Sequence, residues 1–398
     1  MTHLFEYKFW AFHISDYLFF SLFVYFCIKA VSIHYHHSKS KTIPMNTANN
    51  ALYFVVACSF LLVLVIFSSF RYIRADVSEF LKYSNYYFIG GNDTYEYRRC
   101  YEIAKGENFF AAKELMSKEY IFAFIFWAFS NLNIPFDLCL AFLNTLMGIA
   151  ILKFAKYFDI RKKSVLSILA LIALYLGSFN TLRWSFNLIF SIYFAKNFVE
   201  EDFKKCFLIM IFCIGFQFSA IVYILPLIGI KIMKKNRKLG YLFVIFCCLV
   251  CWALSLLDIS PFLKAIGRIH QADVIGNKPA TAFILYTLYL FNMRLIHKTF
   301  FKEKKNKYLF YLIIFLMPPT FIELTFGLAY RFSYYAHPIL YMHFATMKNE
   351  NKKHGYGGLL FTLCEDIILI TIILKFYFGT GIESTGVPYL FDKYLLIK

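Results

Sequence analysis

Residues 51–70 read ALYFVVACSFLLVLVIFSSF, twenty consecutive positions without a charged side chain, and Arg71 follows at once. An α-helix needs about 20 apolar residues to cross the hydrocarbon core of a bilayer. The same signature repeats outward from this stretch, at 9–33, 120–134, 136–153, 164–180, 184–198, 206–231, 240–257, 280–296, 308–322, 326–347 and 358–378. Together these stretches predict about 11–13 transmembrane helices. Segment 206–231 reads either as one long helix or as two short ones broken between Gly215 and Ser219.

Composition agrees with that pattern. Hydrophobic residues make up 60% of the 398 positions and charged residues 17%, against roughly 45–50% and 25% in soluble domains. With 50 Phe, 30 Tyr and 4 Trp, a soluble surface cannot be built from this inventory. A secreted, disordered, coiled-coil or nucleic-acid-binding protein is excluded. In lipid every backbone polar group must be satisfied internally, so helices are the spanning form. No strand-period pattern and no repeat of fixed period appears. The fold class is therefore all-α: a polytopic transmembrane bundle forming a single integral membrane domain over 1–398. The first apolar run carries His13 and Asp16 and reads as a retained helix rather than a cleaved signal.

The net charge of +18 would suggest nucleic acid as a partner in a soluble chain. Here the basic residues gather in short loops, where they act as topology signals and contacts for membrane lipid. Loop 231–239 holds Lys231, Lys234, Lys235, Arg237 and Lys238 without an acid, and 294–307 and 348–354 are similarly basic. These three read as cytoplasmic. The longest polar stretch, 71–118, mixes acids and bases and reads as extracytoplasmic. Lys153, Lys156, Arg161, Lys162 and Lys163 also look cytoplasmic, yet two crossings between 119 and 152 would place them outside. The ten cysteines sit mostly in apolar runs, and His34, His36 and His37 have no carboxylate or cysteine nearby. No metal and no cofactor is expected.

Chemistry has few places to reside in such a chain. Loop 71–118 opens with Arg71, Arg74 and Asp76, and Asp93, Tyr97, Arg98 and Arg99 follow a Gly-Gly turn. From Tyr101 to Met116 apolar and charged residues alternate as in an amphipathic helix lying in the interface. Arg183 and Arg331 fall within apolar segments, and Glu323 precedes Arg331 by eight residues. A charge inside a span costs about 2.5–3.5 kcal/mol on insertion scales and usually faces a cavity or pathway. Arginine cannot shed its proton, so it must find an anion. Phosphate or pyrophosphate suits the guanidinium fork. An internal ion pair, with Glu323 as one partner, is the structural alternative.

The order of these residues resembles the EpsG-like and Wzy-type polysaccharide polymerases of bacterial inner membranes. SFRYIRAD supplies the arginine that ends an early helix, Arg71, and IGGNDTYEY supplies the Gly–x–Asp–x–x–x–Tyr stretch through Asp93 and Tyr97. FNTLRWSFNLIF supplies Asn180 and Arg183, with Trp184 where Gln is usual. FQFSAIVYILP carries Gln217 where His is common, then Ser219, and AYRFSYYAHPIL supplies Arg331, Tyr334 and Tyr335. The resemblance runs from about 51 to 347.

The resemblance implies joining of polyprenyl-pyrophosphate-linked oligosaccharide repeat units at the outer face of the inner membrane. Arg71, Arg183 and Arg331 would stabilise the departing pyrophosphate, and Asp93 would act as general base or sugar binder. Arg74, Tyr97, Arg98, Asn180, Gln217, Tyr334 and Tyr335 would contact substrate. A chain-length regulator protein is a further partner. Two alternatives remain open: a ligase or other membrane glycosyltransferase sharing the same donor, and a lipid-linked glycan flippase or transporter. The paired broken helices of a duplicated transporter are not visible in the sequence.

Overall fold

An apolar chain closes its backbone hydrogen bonds most simply within helices. Helix is the regular element throughout the described residues of the computed structural model, with no strand among them. The structure describes residues 22–23, 25–27, 29–30, 55–62, 92–116, 119–157, 182–256, 281–323, 332, 334–341, 343 and 355–378. Most of spans 9–33 and 51–70, all of 164–180 and much of 326–347 lie outside them, as does the histidine cluster. The chain groups into two compact units. One comprises Met1–Phe190, Gly215–Gln217 and Leu369–Lys398; the other comprises Ser191–Ile214 and Phe218–Ile368.

The first unit contains α1 (Asn92–Ile103), α2 (Phe109–Met116), α3 (Tyr120–Asn131) and α4 (Phe136–Tyr157). It also holds the start of α5 (Leu182–Val199). The expected amphipathic stretch 101–116 is not one helix. It breaks where Gly106 takes φ +81, a left-handed conformation that glycine adopts without a Cβ penalty. Asn108 then restarts the helix by accepting a hydrogen bond from the Ala111 amide at 3.0 Å, as an N-cap does.

Both loop helices fold onto α3. Along α1, Tyr97 packs edge-on to Phe122 and Tyr101 to Phe126, with centroids 5.2 and 5.7 Å apart. Ser130 Oγ donates to the Tyr101 carbonyl at 2.8 Å and Asn131 Nδ2 to that of Ala104 at 3.0 Å. These pairs run parallel. The contacts of α2 run the other way, Phe109 against Trp127 and Lys113 over the Tyr120 ring. The segment 120–134, expected as an independent span, is thus a 12-residue helix bonded side-on to the polar loop. At 1.5 Å per residue it is about 18 Å long, whereas the 22 residues of α4 reach about 33 Å.

In the second unit the segment 206–231 takes the broken form of its two readings. Helix α6 (Phe203–Phe216) gives way to a 3-10 turn at Phe218–Tyr223 and then to α7 (Ile224–Lys235). The outer ends of this hairpin meet. Glu201, in the turn before α6, pairs with Lys234 at the end of α7, and Lys234 also lies 4.9 Å over the Phe203 ring. Lys304 joins the same carboxylate, so basic segments 231–239 and 294–307 share one acidic partner. Hydrogen bonds from Lys234 and then Lys304 hold the Glu201 carboxyl down at about 2.

Asn236 starts α8 (Arg237–Ser255) by accepting from the amides of Lys238 and Leu239. Among the described residues α8 is the helix long and apolar enough to cross a membrane; Tyr120–Asn131 and Phe136–Leu152 are shorter apolar runs. Leu242, Phe246, Leu249 and Trp252 are exposed on it. Next come α9 (Thr281–Phe300), α10 (Lys304–Leu316), α11 (Thr320–Glu323) and α12 (Gly355–Phe378). Every residue from Leu309 to Leu316 is buried, as expected of a helix that is apolar all round. Expected span 308–322 is interrupted after Leu316 by Met317-Pro318-Pro319, because proline lacks the amide a continuing helix needs. On α9, Asn292 donates to Glu365 of α12, both buried.

Candidate functional site

Arg183 is the second residue of α5. Its guanidinium pairs with Glu119 and lies over two ring faces, 5.9 Å from the Tyr97 centroid and 5.6 Å from that of Phe122. The side chains of Arg183 and Glu119 are 16% and 14% exposed. The pair is therefore mostly withdrawn from water but still reachable.

Local structure explains the pairing. Glu119 is the N-cap residue of α3, extended at φ −66 and ψ 152, and its side chain makes no capping hydrogen bond. Its backbone carbonyl takes the first helical bond, from the Ala123 amide at 2.9 Å. The carboxylate is thus turned away from its own helix toward Arg183. Beneath the pair, Phe186 stacks on Phe216 with centroids 4.1 Å apart and planes 9° from parallel. Phe122 meets the same Phe216 ring at 6.3 Å. Gly215 makes this approach possible, because a Cβ there would collide with the Ile121 side chain. One turn beyond Arg183, buried Asn187 donates through Nδ2 to the Gln217 carbonyl at 3.4 Å.

A guanidinium stays charged at any physiological pH. Held over aromatic faces it gains about 0.5–2 kcal/mol from the ring quadrupoles. Its remaining demand is for an anion, which Glu119 supplies. The arrangement is a fixed cation at the junction of a polar segment with apolar helices, and its anion is carried on a different helix. Such a site can exchange one anion for another.

The structure brings together some of the sequence-selected residues. Tyr97 is buried beneath Arg183, and Gln217 is joined to α5 through Asn187. Asp93 lies in the first turn of α1, one turn ahead of Tyr97; its side chain is outside the described residues. Arg98 is exposed on α1. In the second unit Tyr335 is buried, with its hydroxyl 2.9 Å from Ser219 Oγ and its ring edge-on to Tyr223 at 5.1 Å. Tyr334 shares the 3-10 turn Tyr334–Ala336 and Glu323 ends α11, both with side chains outside the described residues. Arg71, Arg74, Asn180 and Arg331 lie outside them altogether. Among the described residues, no three His, Cys, Asp or Glu side chains group as metal ligands.

Sequence reasoning passed over Glu119, Phe122 and Asn187. Two signals were available. Glu119 is a lone acid at the head of a helix without another charge, and Asn187 stands four residues after Arg183, on the same helical face. The structure pairs Arg183 with Glu119, a partner that the sequence reading did not consider.

Residues 87–391 match the model of the EpsG family. No curated protein and no solved structure matches the chain. The matched range includes Asp93, Tyr97, Glu119, Asn180, Arg183, Gln217 and Arg331, whereas Arg71 and Arg74 precede it.

Proposed function

The chain belongs to the EpsG family, and from that premise we propose that it is a polytopic glycosyltransferase of the bacterial inner membrane. It joins polyprenyl-pyrophosphate-linked glycan repeat units at the outer face, with 71–118 as its extracytoplasmic loop. Membership supports a membrane protein of the polysaccharide-polymerase type. The observation that carries the finer reading is Arg183, a permanent cation seated among aromatic rings beside the loop helices.

The reaction needs little from outside the protein. An acceptor hydroxyl attacks the anomeric carbon of the donor, and the bond from that carbon to the pyrophosphate oxygen breaks. Negative charge develops on the departing pyrophosphate. Preorganised cations aimed at developing charge are usually the largest catalytic term, and Arg183, Arg71 and Arg331 fill that role. Asp93 binds the sugar or takes the acceptor's proton. Arg74, Tyr97, Arg98, Asn180, Gln217, Tyr334 and Tyr335 shape the substrate path, and a chain-length regulator is the expected protein partner.

Topology follows the same reading. On this reading the 12-residue α3 lies with the outer loop, and the 22-residue α4 crosses between that loop and the basic cluster Lys153–Lys163. One crossing rather than two would put the basic cluster in the cytoplasm with the other basic loops. The α6–α7 hairpin, with arms of 14 and 12 residues, enters and leaves on the cytoplasmic side. Non-helical backbone at membrane depth is tolerated only inside protein or beside a water-filled cavity, and its apex carries Gln217 and Ser219.

Complementation tests the function. Deleting the gene should shorten surface glycan to single repeat units on a glycan gel, and the wild-type chain should restore long polymer. Asp93→Asn should accumulate normally and fail to restore it. Unchanged glycan in the deletion strain would remove the polymerase reading.

A further inference from the structure

We propose that the basic end of the second unit binds the phosphate headgroup of an anionic phospholipid. Arg237 and Lys307 are its cations, and the exposed stripe of α8 is the seat of its acyl chains. The inference goes beyond the reaction proposed above and does not depend on it. Only the length and apolar character of α8, which suit a membrane span, enter.

Cations that only set topology need charge and nothing more. Here they are held in place. Arg237, the first residue of α8, lies 5.8 Å over the Tyr241 ring, and its guanidinium donates to the Tyr241 hydroxyl at 3.5 Å. Lys307, in the first turn of α10, lies 5.9 Å over the Tyr311 ring. Arg237 is also within electrostatic reach of Tyr311, so that one buried tyrosine is shared between a cation of α8 and a cation of α10. Glu201 fixes the neighbouring helix ends by taking Lys234 of α7 and Lys304 of α10 together. It stands at φ 62, a strained conformation for a residue with a side chain, which persists only where the surroundings hold it. Charge at this end is far from balanced. Segments 231–239 and 302–307 hold nine basic residues against Glu303 alone, and Glu201 adds one carboxylate for two lysines. The surplus calls for an anion, and phosphate oxygens suit a guanidinium fork beside an ammonium. Basic pockets between spanning helices take lipid headgroups of this kind. A lipid fits better than a free anion because the cations head an apolar helix face. Tyr241, Ile245 and Leu249 follow Arg237 at intervals of four, on one side of α8, and Ile245, Leu249 and Trp252 are exposed.

Lipid titration of the purified full-length protein, in neutral detergent and read by thermal shift, tests the site. Phosphatidylglycerol should raise the melting temperature saturably, whereas phosphatidylcholine with the same acyl chains and inorganic phosphate should not. Arg237→Gln and Lys307→Gln should each weaken phosphatidylglycerol binding about fivefold, the scale of one basic residue at an anionic surface. Lys235→Gln removes the same charge from the exposed end of α7 and should leave binding unchanged. An equal response to phosphatidylcholine would make the surface a general lipid contact, and an equal response to inorganic phosphate would make it a site for a soluble anion. Either result overturns the proposal. So does equal weakening by Lys235→Gln, which would mean a diffuse basic field rather than a built site. If Arg237→Gln fails to accumulate, Lys307→Gln decides alone, and failure of both makes the cations structural and ends the proposal. The polymerase reading is decided separately, by the glycan of the deletion strain.

Discussion

Ser219 Oγ and the Tyr335 hydroxyl lie 2.9 Å apart in a buried hydrogen bond between residues 116 positions apart in the chain. One belongs to the FQFSA stretch at the hairpin apex and the other to RFSYY, so two motifs singled out from sequence meet in space. Removing one partner breaks a buried hydrogen bond, a contact typically worth about 0.5–1.5 kcal/mol. Ser219→Ala and Tyr335→Phe should each lower the melting temperature of the purified protein, and the double variant should lose less than the sum of the two. Additive losses in that double-mutant cycle would show that the hydroxyls do not depend on one another.

The second prediction concerns acid. Glu201 is held at about 2, against an ordinary value of 4.5, by hydrogen bonds from Lys234 and Lys304. A carboxyl depressed on folding contributes stability that is fully present above its unfolded value and is lost as pH falls through its folded one. Wild-type protein should therefore melt above Glu201→Gln near neutrality, and the gap should close between 4.5 and about 2. A gap that stays constant down to the lower value would mean that the carboxylate clasp does not hold the hairpin.

Much of this architecture was legible in the sequence, for physical reasons that differ by element. The helices follow from apolar runs, and the hairpin break between Gly215 and Ser219 was one of two readings of segment 206–231. The doublet Pro318-Pro319 was also in plain view, yet apolar composition alone carried the expected span 308–322 straight across it. What composition cannot express is depth. The 12 residues of α3 are as apolar as a true span, and only their bonds to Tyr101, Ala104 and Glu107 show that the helix belongs with the loop. Charge pairing was equally hidden. Glu119 and Arg183 are 64 positions apart, and nothing local in either segment announces the other.

Sidedness gives the third prediction. Cysteines introduced at the exposed positions Glu107 and Lys302 should behave oppositely in intact cells, with an impermeant thiol reagent reaching the first and sparing the second. A cysteine at Lys162 should follow Lys302, as the proposed single crossing by α4 requires. Labelling at position 162 equal to that at position 107 would mean that α3 crosses after all, and the loop assignment would fall if position 302 were labelled instead of 107.

The arginines supply the last prediction. If Arg183 and Arg331 both grip pyrophosphate, charge alone is not enough, because lysine presents a point charge where the guanidinium presents a planar fork. Arg183→Lys and Arg331→Lys should then shorten polymer at normal protein level. A structural role forecasts something else. A lysine can still pair with Glu119, so Arg183→Lys would be tolerated, while Arg183→Gln would take a cation away from a partly buried carboxylate, and breaking a fully buried pair costs about 3–5 kcal/mol. For Arg331 the structural partner from sequence is Glu323, at the end of α11. On that reading Glu323→Gln should be as damaging as Arg331→Gln. Polymer length and membrane protein level for these variants separate the two roles. Full-length polymer from Arg183→Lys and Arg331→Lys combined would end the pyrophosphate clamp, and loss of polymer at full protein level would leave the guanidinium fork as the property the site requires.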